Sequence, residues 1–167
     1  MAKTYKGAIA GDLIIEKGDD ASAVTSIGGS LYVSEGATCD LPQVTSIGGS
    51  LEIKPRGKVI APKLETINGQ PFVAPENQAA LLKEVAEHAL AAPENFTMSD
   101  WHACGTAHCI AGWAVHLKGE EGYALEKKVG PATAGALLLG VDAASLFFLS
   151  KGEATGRLEM IRQGVTA

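Results

Sequence analysis

An eight-residue segment, Val24-Thr-Ser-Ile-Gly-Gly-Ser-Leu31, recurs unchanged at Val44–Leu51. A degraded third copy follows at Leu64-Glu-Thr-Ile-Asn-Gly-Gln-Pro71, so the period is 20 both times. A fainter copy, Ile9-Ala-Gly-Asp-Leu13, precedes them. A unit this short cannot bury its own apolar row, but stacked units can. The period therefore predicts a short right-handed parallel β-solenoid of about four coils over residues 4–74. Each Gly pair is expected at a sharp corner. Because Gly48 is replaced by Asn68 in the third copy, a left-handed backbone is expected in each pair.

After each corner comes a strand-like triplet: Leu13-Ile-Ile15, Leu31-Tyr-Val33, Leu51-Glu-Ile53 and, in the degraded copy, Pro71-Phe-Val73. Side chains alternate between the two faces of a strand. The outer residues of each triplet then point inward, stacked with Ile9, Ile27, Ile47 and Ile67. The middle residues, Ile14, Tyr32, Glu52 and Phe72, point outward as a column with about 4.8 Å between steps. A contiguous apolar strip usually meets something. This column is the candidate binding surface, for a protein partner or for a second copy of the chain. Cys39, just before Asp40-Leu41-Pro42, reads as a small buried filler.

The segment Leu41-Pro-x-Val-Thr-Ser-Ile-Gly-Gly-Ser-Leu51 resembles short leucine-rich-like or β-helical repeats of bacteria and phages. It lacks the Asn/Cys ladder of the standard leucine-rich repeat. The resemblance implies a binding scaffold with no catalytic residues of its own.

Composition changes at Pro71–Pro75: Gly pairs vanish and Ala and Leu dominate. Residues 75–167 are expected to form a second, all-α domain after a repeat domain of residues 1–74, giving an α+β protein. Asn77–Ala92 carries Leu81, Leu82, Val85, Ala86, Ala89 and Leu90 at helical spacing, and Pro93 ends it. Further helices are expected from Thr106 as a cap to about Lys118, over Glu120–Lys128, from Pro131 to Leu139, over Ala143–Leu149 and over Glu153–Gln163.

Trp101–His116 holds three of the four His, two of the three Cys and both Trp. Its Cys104-Gly-Thr-x-x-Cys109-x-Ala-Gly-Trp113, with the later Leu139-Gly-Val-Asp142 and Leu146-Phe147, resembles a phage and bacterial family of small helical proteins. The resemblance covers about residues 94–163 and implies a fold but no activity. Three chemical readings fit the residue types, one of them a Cys104–Cys109 disulfide, close in sequence but opposed by a reducing compartment. Thiolate and imidazole suit zinc, with His102, Cys104, His108 and Cys109 as candidate ligands in a zinc-stabilised adaptor, although Cys-x4-Cys is not the usual knuckle spacing. Alternatively, Cys109 in a first helical turn has its thiolate favoured by free backbone N–H groups, with His116 as its base in a small Cys/His enzyme. The competing reading is burial. Ala103, Ala107, Ile110, Ala111, Ala114 and Val115 make the segment apolar nearly all round, as in a central helix. Cys104, Cys109, Trp101 and Trp113 are then core.

Charge narrows the function classes. Fourteen Lys and Arg against nineteen Asp and Glu give a net charge of −5, which disfavours a nucleic-acid partner. The basic turn Lys54-Pro-Arg56-Gly-Lys58 reads as a solvated loop tip. No apolar run reaches the roughly 20 residues of a membrane span. The first residues carry no signal-peptide core, and three Cys do not suggest a disulfide framework, so a cytoplasmic setting is expected. The reading that follows is a non-catalytic protein-binding module without a cofactor. Its narrower version, resting on the phage resemblance, is an anti-CRISPR-like inhibitor of a host defence complex, acting in the host cytoplasm.

Overall fold

The computed structural model describes residues 1–165 and divides into two compact units, Met1–Phe72 and the chain from Val73 onward. The first unit contains ten short strands: β1 (Thr4–Ile9), β2 (Leu13–Ile15), β3 (Asp20–Ile27), β4 (Leu31–Val33), β5 (Thr38–Asp40), β6 (Ser46–Ile47), β7 (Leu51–Ile53), β8 (Lys58–Ile60), β9 (Thr66–Ile67) and β10 (Gln70–Pro71). They stack as a β-solenoid of about three turns, with parallel faces β1-β3-β6-β9, β2-β4-β7 and β5-β8. The register is the one the repeat dictates. Ile9, Ile27, Ile47 and Ile67 pair in sequence, as do Leu13, Leu31 and Leu51, and Ile15, Val33 and Ile53. Leu13, Leu31, Leu51 and Ile47 are at most 1% exposed, so this ladder is the core of the unit. Cys39 is buried in register with Val59, as a filler should be.

The Gly pairs work differently from the expectation. Positive φ is absent at Gly28, Gly29, Gly48 and Gly49. What forbids a side chain there is the neighbouring turn. A Cβ on Gly48 would fall on the carbonyl oxygen of Gly28, and one on Gly28 would reach the Ala10 carbonyl. One on Gly49 would collide with Ser30, and one on Gly29 with Asp12. Backbone hydrogen bonds close the stack: Gly28 N–H to Ile9 O at 2.7 Å and Gly48 N–H to Ile27 O at 2.9 Å. The following serine continues it. The Asp12 carboxylate accepts from Ser30 N–H at 2.7 Å, and the Ser30 hydroxyl accepts from Ser50 N–H at 3.0 Å.

The degraded third copy ends the solenoid. Asn68 and Gly69 have φ of 50° and 68°. Two successive left-handed residues make the tight turn that Asn-Gly favours, and it reverses the chain. Gln70–Pro71 therefore pairs antiparallel with β9 instead of adding a fourth strand beside β7. The expected strand 71–73 does not form, and the fourth coil is missing.

The second unit has α1 (Pro75–Ala91), α2 (Ile110–Leu117), α3 (Gly119–Val129), α4 (Pro131–Leu139), α5 (Val141–Ala144) and α6 (Lys151–Arg162), with a hairpin of β11 (His102–Ala103) and β12 (Ala107–His108) before α2. Pro at N1 opens α1 and α4, and Gly130 and Gly140, at φ 82° and 92°, close α3 and α4. A Ser150–Glu153 capping box opens α6. Helix α2 lies at the centre against α1, α3 and α4, with Ile110–Val115 all buried. Gly135 lets α4 approach it, because a Cβ there would strike Ala111 and the Phe147 ring. Among the described residues no helix is long and apolar enough to cross a membrane.

Candidate functional site

Three places among the described residues are candidates for a functional site. The first is the outward column of the solenoid. Ile14, Tyr32 and Glu52 are in direct register on β2, β4 and β7. Ile14 is 55% exposed, while Tyr32 and Glu52 are half-buried on their outer face. Lys54 forms an ion pair with Glu52. Phe72 is not in this column. It follows β10, beyond the Asn68–Gly69 reversal, and has no register partner on the three-stranded face.

The second is the segment around the β11–β12 hairpin. Helix α2 starts later than expected, at Ile110, because Thr106 is spent in the hairpin turn, where its N–H bonds Ala103 O at 3.3 Å. Cys104 and Gly105 occupy the turn with φ of 52° and 72°. Cys109 is the N-cap, not a first-turn residue: its Sγ accepts the Gly112 N–H at 3.3 Å, as a serine hydroxyl would. Burial pushes the Cys109 thiol up to about 11, so desolvation outweighs the helix N-terminus. Gly112 permits this packing, since a Cβ there would meet the Trp101 carbonyl.

The hairpin and α3 assemble a histidine chain. His102 and His108 are cross-strand partners, with Nδ1 atoms 2.7 Å apart. His102 Nε2 lies 2.8 Å from the Glu126 carboxylate. The His108 ring stacks on His116 at 4.4 Å, and His116 Nδ1 meets the Tyr123 hydroxyl at 2.9 Å. His102 Nε2–H donates to the carboxylate, so in the neutral pair His108 Nδ1–H donates to His102 Nδ1. His108 Nε2 is then buried without a partner among the described residues, and so is Trp113 Nε1. Desolvation first, then His116 and His102, push His108 down to about 4.

These positions decide which sequence candidates meet. Of the four zinc candidates only His102 and His108 converge. Cys104 is exposed at the hairpin tip, and the Cys109 sulfur turns to the Gly112 N–H. Among the described residues no three His, Cys, Asp or Glu side chains converge so as to hold a metal ion. Cys109 and His116 do not form a nucleophile–base pair: one caps the start of α2, the other sits in its last turn, roughly 10 Å along the axis. Glu126 and Tyr123 were missed. Their spacing of three on α3 puts them on one face, but nothing local to α3 shows that the hairpin lies against it.

Behind the hairpin, a pocket of about 210 Å³ is lined by Met98, Ser99, Asp100, Trp101, Cys109, Phe147 and Phe148. The Trp101 and Phe148 rings stand perpendicular, with centroids 5.7 Å apart. Asp100 and Ser99 are exposed, while Cys109 and Phe147 are buried. Comparison with family models, curated proteins and solved structures finds no match.

Proposed function

We propose that this protein is a non-catalytic protein-binding module whose partner meets the three-stranded face of the solenoid. The observation that carries the reading is the in-register column Ile14–Tyr32–Glu52, whose Ile14 is 55% exposed on a backbone held rigid by the inward Leu and Ile ladder. Large side chains fixed near the centre of a patch are what interfaces draw their energy from. The net charge of −5 speaks for a protein partner over nucleic acid. A cytoplasmic setting belongs to the same reading, supported by an odd number of free thiols. The narrower version, an anti-CRISPR-like inhibitor of a host defence complex, rests on the phage-like repeat and the Cys-Gly-Thr motif. Replacing Ile14 and Tyr32 together by Ser tests the reading. The circular dichroism spectrum should stay unchanged, because the inward ladder remains, while partner capture or self-association is lost. Intact binding by the folded double variant would reject this face.

A further inference from the structure

We propose that the pocket between residues 98–101 and Phe147–Phe148 receives one alkylammonium side-chain end, a lysine that binds best when methylated, from a protein partner. This rests on the binding-module reading and adds a second contact to it. Three observations converge. The walls are aromatic and polarisable: Trp101 and Phe148 stand at 88° to one another, Phe147 lies at the buried end, and Met98 completes the lining. The two rings meet edge to face, and an aromatic face left open to the pocket would attract a cation, the more strongly as the cation loses water. The second observation is charge. Asp100 is an exposed lining carboxylate, and every named lining residue other than Asp100 is uncharged. An ammonium there gains the aromatic faces and a carboxylate, whereas an anion would meet repulsion from both. The third is size. About 210 Å³ is below the roughly 300 Å³ at which pockets begin to enclose whole small molecules, and it suits the end of one side chain.

The pocket is also held firm. Trp101 O accepts the Cys109 N–H at 3.3 Å, and Cys109 is fixed by its cap to Gly112, so the Trp101 wall is tied to the start of α2. Asp100 is exposed and makes no cap, so Asp100→Asn removes charge without disturbing the fold.

The test is a nuclear magnetic resonance titration of the full chain, read at the two indole N–H signals. Three probes are used: a short peptide carrying trimethyllysine, the same peptide with a neutral tert-butyl end of equal shape, and free choline. The proposal expects the charged peptide to shift the Trp101 signal saturably while Trp113 stays still. It expects the neutral peptide to bind at least about tenfold more weakly, and Asp100→Asn to weaken the charged peptide several-fold with the Trp113 signal unchanged. Equal binding of the neutral peptide would overturn it, leaving an apolar slot. Absence of any shift would overturn it outright. Choline binding as tightly as the peptide would overturn the side-chain assignment. The titration needs no contact from Ile14 or Tyr32, so its failure leaves the solenoid interface standing or falling by its own test.

Discussion

Lowering the pH from about 7.5 to about 5 protonates a histidine in the unfolded chain, while His108 in the fold resists. Its ordinary value of 6.5 falls to about 4, because the ring is 1% exposed and faces His116 and His102. The native state then binds fewer protons than the unfolded state between these two values, so stability falls as pH falls through that window. It is unaffected above about 6.5 and levels off below about 4. At about 1.36 kcal/mol per pH unit, the fall from 6.5 to about 4 sets a ceiling near 3 kcal/mol, of which about 2 kcal/mol is lost by pH 5. Urea unfolding followed by Trp fluorescence reads the relevant unit, since Trp101 and Trp113 are both in it and Trp113 packs 5.0 Å from His108. The same measurement on His108→Gln subtracts the titrating groups that do not touch His108, and any pH-independent cost of the substitution cancels in the comparison. Wild type should lose up to about 2 kcal/mol more than the variant between about pH 7.5 and pH 5. Parallel pH profiles for the two proteins would refute a neutral, desolvated His108.

Other outcomes follow from the packing. Gly48→Ala should destabilise the solenoid by about 1–3 kcal/mol in thermal unfolding, because its Cβ falls on the Gly28 carbonyl, whereas Gly156→Ala, in open space on α6, should stabilise by up to about 1 kcal/mol. Titration with a thiol reagent should find one fast group in the native chain, the exposed Cys104, and three after unfolding, since burial pushes Cys39 up to about 12 and Cys109 up to about 11. Ser150→Ala should cost about 1 kcal/mol through the lost capping box.

The solenoid was legible because a repeat carries its own register: once Ile27 aligns with Ile47, the inward Leu and Ile ladders follow. The role of the Gly pairs was not, since a demand for close stacking and a demand for positive φ leave the same glycine in the sequence. Asn68-Gly69 was the missed signal. It is a hairpin dipeptide that ends the repeat and removes Phe72 from the column. Around α2 the apolar periodicity found a buried helix but put its start three residues early. Thr106 fits a cap as well as a turn, and only the pairing of His102 with His108 decides between them. The contacts of Glu126 and Tyr123 with the histidines span 24 and 7 residues and belong to tertiary packing, which local spacing does not encode.

The central claim, that the outward face of β2, β4 and β7 is the binding surface, is tested most directly by a photo-crosslinking amino acid placed singly at positions 14, 32 and 38. Position 38 lies on β5, in the separate β5–β8 face, and serves as the control. The account predicts one discrete crosslinked species from positions 14 and 32 in cells, a heteromeric adduct or a dimer of the chain, and none from position 38. Crosslinking of equal yield from all three positions, or from position 38 alone, would contradict it.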